Sequence, residues 1–217
     1  MMGMRGVRDG VRAALAIVLI LAGATVGILV AGARGGQAPK PAPGLRADRL
    51  PGGLDESPAP RIRLVDQHGR PLDSARLGGR PYLVTFLYTH CTDACPVIGS
   101  EIADALRQLG RRADGVDVLG VSVDPRGDTA AGARAWAAER GLGRPFHYLL
   151  GSARALTPVW RDWFVVGPGG ALDDPRTHAA AVWLVDGAGR LRGRWSGGAP
   201  IAPAAIAHDL RVLLDES

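Results

Sequence analysis

Between Arg61 and Leu214 the apolar positions recur with two periods, and each switch between them marks an element. Arg61 to Val65 alternates with period two. Asp66-Gln67-His68-Gly69-Arg70 reads as a turn and Pro71-Leu72 as a short return, which together predict a hairpin. Gly78-Gly79-Arg80-Pro81 breaks the chain, and Tyr82 to Tyr88 is a continuous β-branched and aromatic run, the signature of a buried strand. After Pro96 the period becomes helical. Val97, Ile98, Ile102, Ala105, Leu106 and Leu109 make one apolar face, predicting a helix to about Arg112. Val116 to Val123 is the next buried strand, closed by Asp124-Pro125. Thr129 caps a helix to about Arg140, with Trp136 on its inner face. Phe146 to Leu150 is a short strand, and Ser152 caps a helix ending near Trp163-Phe164. Val165 to Thr177 is a loop rich in glycine and proline. Ala179 to Val185 and Arg190 to Trp195, joined by Gly187-Ala188-Gly189, predict a second hairpin, and Ile201 to Leu214 a last helix. No internal repeat is evident.

This order describes an α/β fold with a thioredoxin-like core: a central mixed sheet flanked by helices, with an extra N-terminal β-hairpin. In open sheets of this kind, sites gather at the carboxyl ends of the parallel strands. Cys91 and Asp124 each follow such a strand and are expected to converge. The tryptophans are expected in the core.

The N-terminal quarter has a different pattern. Ala13 to Ala33 runs 21 residues without a charge, and about 20 apolar residues cross a bilayer as a helix. Arg5, Arg8 and Arg12 precede it, so residues 1–12 are expected in the cytoplasm, 13–33 as a transmembrane anchor, and the domain on the extracytoplasmic side. A cleaved signal peptide is the alternative, since Ala31-Gly32-Ala33 fits a cleavage site; both export the domain. No cysteine closely follows the apolar run, which argues against lipoprotein attachment. Residues 34–57, rich in Pro, Gly and Ala, read as a flexible linker, and 58–217 as the folded domain.

Composition changes this picture little. The 217 residues carry a formal charge of +5, but residues 1–34 hold four arginines and one acid, and elsewhere the signs are interspersed. No basic stripe interleaved with aromatics is present, so nucleic acid is not an expected partner.

The chemistry sits in Tyr82 to Pro96, read as YLVTFLYTHCTDACP, which carries the chain's two cysteines, Cys91 and Cys95. Pro96 suits the first position of a helix, which puts Cys95 at its N-cap and Cys91 in the preceding turn. Unpaired N–H groups and the helix dipole there favour a thiolate. The stretch resembles the Sco/SenC family of copper-binding proteins, whose site reads Y-T-x-C-P-D-x-C-P between a strand and a helix. Tyr88, Thr89, Cys91, Asp93, Cys95 and Pro96 match, with Thr92 in place of proline. Val121-Ser122-Val123-Asp124-Pro125 followed by Asp128-Thr129 resembles the family's second signature, and His178 lies where the family places its third metal ligand. The likeness covers roughly residues 58–214. It implies a copper site made by Cys91, Cys95 and His178, taking Cu(I) or Cu(II), with Asp93 and Asp124 around it. It also implies delivery of copper to the copper-site subunit of cytochrome c oxidase, or reduction of that subunit's cysteines, in exchange with other copper carriers or thiol reductases.

Three chemistries remain open for two cysteines spaced in this way. A structural disulfide encloses too small a loop to stabilise much. A thiol–disulfide oxidoreductase or peroxidase would use Cys91 as nucleophile and Cys95 as resolving thiol. A metal site draws on the same sulfurs: thiolates suit Cu(I) and imidazole also serves Cu(II), whereas structural zinc needs a fourth ligand that is not evident. The spacing is C-x-x-x-C, whereas thioredoxin-type oxidoreductases use C-x-x-C, and His178 stands near where they carry a proline. Thr177 and Ala179 replace the residues that flank this histidine in the family, leaving open what orients its ring. His90 points away from Cys91 in an extended run and reads as an outer-shell or solvent residue. His68, His147 and His208 lie outside the motifs and read as structural.

Overall fold

Six-residue apolar runs need cover on both faces, and the sheet supplies it by burying its parallel strands in the middle. The computed structural model describes residues 44–166, 174, 178, 180–196 and 200–217. Its strands are β1 (Arg63–Asp66), β2 (Pro71–Asp73), β3 (Tyr82–Leu87), β4 (Asp117–Ser122), β5 (Phe146–Leu150), β6 (Ala181–Val185) and β7 (Leu191–Ser196). They form one mixed sheet in the order β2-β1-β5-β4-β3-β6-β7. β3, β4 and β5 are parallel; β6 and β1 join them antiparallel, on either side, and each carries a hairpin partner. The helices are α1 (Ala94–Leu109), α2 (Ala130–Glu139), α3 (Ala153–Asp162) and α4 (Pro203–Asp215).

Alternation along β3 divides the core in two. Leu83 and Leu87 join a cluster with residues of α1, α2 and α4, while Tyr82, Val84 and Phe86 join one with Leu156, Val159 and Trp160 of α3. All five tryptophans are buried. Thr129 and Ser152 cap α2 and α3 as expected, accepting from the N–H of Gly132 and of Ala155.

The two hairpins at opposite ends of the sheet use one local device. Asp66 and Asp186 each begin an Asp-x-x-Gly-Arg turn, with Gly69 at φ +79° and Gly189 at φ +76°. In each, the aspartate carboxylate accepts from the main-chain N–H of the arginine four residues on, at 2.9 Å, and pairs with its side chain.

Two expectations need correction. The linker reading of 34–57 fails over residues 44–57. There Leu45, Ala47 and Leu50 are buried, and Asp48 and Pro58 form bridges to Arg194 and Arg190 of the second hairpin. The buried Asp209 carboxylate of α4 accepts from the N–H of Arg46 and Ala47 at 2.9 and 2.8 Å. Gly193 admits this strap: a Cβ there would meet Ala47 at 2.9 Å. Scattered charge and proline hid a segment whose main chain is held by a distant carboxylate and by main-chain bonds to β7. The second correction concerns α1, which starts at Ala94, so Cys95 is not its N-cap and Pro96 is its third residue. Proline is tolerated there because the N–H groups of a first turn have no intrahelical partner.

The apolar run 13–33 and the residues up to 43 lie outside the described residues. Among the described residues, no helix is long and apolar enough to cross a membrane.

Candidate metal centre

β3 ends at Leu87 and the chain turns through Tyr88-Thr89-His90-Cys91 into α1, which brings both sulfurs to the carboxyl end of the sheet. Cys91 and Cys95 are both reduced and buried. The N–H of Cys95 donates to the Cys91 sulfur at 3.4 Å, so the open end of the helix serves Cys91 rather than the cysteine inside the helix.

The two thiols are consequently unequal. Burial pushes Cys91 up, but hydrogen bonds from the Cys95 thiol, the N–H of Asp93, the N–H of Cys95 and the Tyr88 hydroxyl outweigh it, so its pKa lies below the ordinary thiol value. Cys95 goes the other way. Burial raises it, and so does donation of its own proton to Cys91. The metal-free site therefore holds one thiolate-prone sulfur and one thiol hydrogen-bonded to it.

His178 also lies at the β3 end. Its Nε2 is 3.1 Å from the carbonyl oxygen of Phe86, and its ring meets that of Tyr88 edge-on with centroids 6.1 Å apart. A carbonyl only accepts, so Nε2 carries a proton and in the neutral ring the lone pair is on Nδ1. The Phe86 carbonyl thus supplies the orienting hydrogen bond that Thr177 and Ala179 left open. Among the described residues no three metal-ligating side chains are drawn into one cluster. The thiols are together, and His178 is held beside Tyr88, the residue that reaches Cys91.

The acids divide differently from the sequence expectation. Asp93 is exposed and its side chain does not cap α1; its contribution is its main-chain N–H to Cys91. Among the described residues, no hydrogen bond of Asp124 goes to the cysteine turn. Its carboxylate accepts from the N–H of Arg126 and Gly127 at 3.2 and 2.9 Å, closing its own loop. The acid that reaches the cysteine turn is Asp128. One oxygen accepts from the N–H and the hydroxyl of Thr89, both at 2.7 Å. The other accepts from Ser122 at 2.6 Å and from the Tyr148 hydroxyl at 3.0 Å. Spacing places both aspartates after β4, and only the loop's fold decides which faces the site.

His90 is exposed, as expected, but it lies in a turn, closed by the Cys91 N–H on the Tyr88 carbonyl at 3.2 Å, rather than in an extended run, so strand alternation does not turn it away from Cys91. His147 lies 3.2 Å from Asp117 and His208 2.8 Å from Asp209, away from the cysteines in chain and element.

The SCO1/SenC family model matches residues 56–215. Among individual proteins, the chain is 30 % identical over 131 residues to the mitochondrial SCO2 homolog of Bos taurus, covering 56 % of this chain and 47 % of that one. The chain spans about half the length of that relative. Among solved structures, Bradyrhizobium japonicum ScoI with copper bound superposes with a TM-score of 0.59 at 29 % identity, over 72 % of this chain and 99 % of that one. The apo Sco1 protein of Thermus thermophilus superposes with a TM-score of 0.64 at 27 % identity, over 78 % and 96 % of the two chains.

Proposed function

Because the chain belongs to the SCO1/SenC family, we propose that it is an extracytoplasmic copper chaperone that serves the assembly of cytochrome c oxidase. The observation that carries this reading is the thiol pair: two reduced sulfurs in hydrogen-bond contact, Cys91 held toward thiolate by N–H groups at the start of α1. Soft sulfurs of this kind suit Cu(I), and the His178 ring at the end of β3 adds the nitrogen that Cu(II) requires. Cys91, Cys95 and His178 hold the ion as cargo. It leaves by ligand exchange with the thiolates of the oxidase copper-site subunit, and other copper carriers or thiol reductases restore the site.

Residues 1–12 stay in the cytoplasm and 13–33 anchor the protein in the membrane. Protease added to intact spheroplasts should remove the domain; full protection would reverse this topology.

A second reading has an observation of its own. A depressed Cys91 beside a raised Cys95 is also the pattern of an attacking and a resolving thiol in a disulfide oxidoreductase. Copper stoichiometry and disulfide-reductase turnover, measured on the parent and on His178→Ala, separate the two. For the chaperone, the parent binds one copper with negligible turnover. His178→Ala keeps weakened Cu(I) binding and loses Cu(II) with its thiolate charge-transfer band, and Cys91→Ser or Cys95→Ser loses both. Brisk turnover in the parent, indifferent to position 178, would favour the oxidoreductase.

A further inference from the structure

One polar chain runs from the loop after β4 to the surface beside the thiol pair. It begins at Asp128, fixed by Ser122 and Tyr148, and passes to Thr89, whose N–H and hydroxyl both donate to it. It ends at His90, whose Nδ1 lies 3.2 Å from the Thr89 hydroxyl oxygen. A hydroxyl has one proton to give. Thr89 gives it to the carboxylate, so toward His90 its oxygen can only accept. The neutral ring therefore carries its proton on Nδ1, and its lone pair is on Nε2 of an exposed side chain, one residue before Cys91. One ring nitrogen donating to an oriented oxygen, the other presenting a lone pair, is how proteins prepare a histidine to ligate a metal.

We propose that His90 is the intake and hand-over ligand of the site: Nε2 accepts Cu(I) from a donor on the solvent side and passes it to Cys91. Asp128 is a positioning residue that acts through Thr89. The proposal rests on the copper reading above. The first exchange forms a copper–nitrogen bond as the donor's bond breaks. The second forms a copper–sulfur bond as the copper–nitrogen bond breaks, and the Cys91 proton, where present, leaves to solvent. Copper stays Cu(I) throughout. Thiolate is the softer ligand, so the ion rests on sulfur, and release retraces the same two exchanges in reverse when an acceptor in excess draws it out.

Two measurements on the full-length protein test this. In metal-free protein, two-bond proton–nitrogen NMR reads the tautomer directly. His90 is expected with its proton on Nδ1, and Thr89→Val should return it to the Nε2-protonated form that an unconstrained imidazole prefers. Stopped-flow uptake of Cu(I) from its bicinchoninate complex, and its return to free bicinchoninate, read the transfer. In His90→Ala both rates should fall about tenfold, and in Thr89→Val both should fall by less. Because His90 is exposed, its replacement leaves the core untouched. A parent ring protonated on Nε2, rates unaltered in His90→Ala, or a release rate that rises there, as for a resident ligand, would overturn the proposal. A parent that takes up no Cu(I) would overturn the copper reading with it, whereas normal uptake by parent and His90→Ala alike would remove this proposal alone.

Discussion

Cys91 and Cys95 are four residues apart, yet one N–H makes them different reagents. The Cys95 amide points at the Cys91 sulfur, while Cys95 is the more deeply buried of the two and donates its own proton to Cys91, so it gives that proton up last. The chemical consequence is an order of reaction. In reduced, metal-free protein, iodoacetamide should modify Cys91 first, at a rate rising with pH about a midpoint below the ordinary thiol value of about 8.5. A lowered pKa means more thiolate at a given pH, so the advantage is largest near neutrality and shrinks as pH rises past that midpoint. Cys95 should stay unmodified across the same range. Peptide mapping of the singly modified protein checks this, and a first adduct on Cys95 would contradict the assignment of the helix end to Cys91. The metal-bound protein should resist both modifications.

At the scale of elements, the end of α3 carries a conflict between backbone and side chain. The N–H of Phe164 bonds to the carbonyl of Arg161 at 3.1 Å and that of Val165 to the carbonyl of Trp160 at 2.8 Å. These two bonds define a Schellman motif, whose left-handed position normally holds glycine. Here it holds Phe164, at φ +58° and 58 % exposed, with its ring 6.3 Å from that of Trp183. A left-handed non-glycine residue costs about 1–2 kcal/mol, and the ring contact returns about 0.5–1.5 kcal/mol. Phe164→Ala keeps the strained backbone and loses the ring, whereas Phe164→Gly loses the ring and the strain together. The glycine variant should therefore be more stable than the alanine variant by about 1 kcal/mol in urea unfolding. Equal midpoints would show that the backbone there is not strained.

At the scale of the molecule, the strap from residue 44 onward is part of the fold. It lies along β7 through the Asp48–Arg194 bridge, covering one edge of the sheet, and it satisfies the fully buried Asp209 carboxylate. A chain beginning at residue 58 loses Leu45, Ala47 and Leu50 from the core and leaves that carboxylate without its main-chain donors. The loss should be about 3 kcal/mol or more, combining apolar burial with an unsatisfied buried acid. The edge of β7 is then open to pairing with other chains. A chain beginning at residue 44 should keep the full-length urea midpoint; one beginning at 58 should unfold earlier and tend to self-associate. Equal midpoints for the two truncations would make the strap dispensable.

The alternation and helical spacing of 61–214 determined every strand and helix of the sheet to within a few residues, because burial on two faces writes itself into period and run length. The strand-to-helix turn fixed where the thiols fall, and the Pro-rich composition concealed the strap, because its anchors, the Asp209 carboxylate and main-chain bonds to β7, lie far along the chain. Which thiol is activated, and which of Asp124 and Asp128 serves the site, depended on where a few N–H groups and hydroxyls point after the loops close. The ring of His178 is oriented by the carbonyl of Phe86, 92 residues away. Main-chain donors and acceptors are the same at every position, so sequence carries no mark of which carbonyl or amide will face a side chain. Only the tertiary structure decides that.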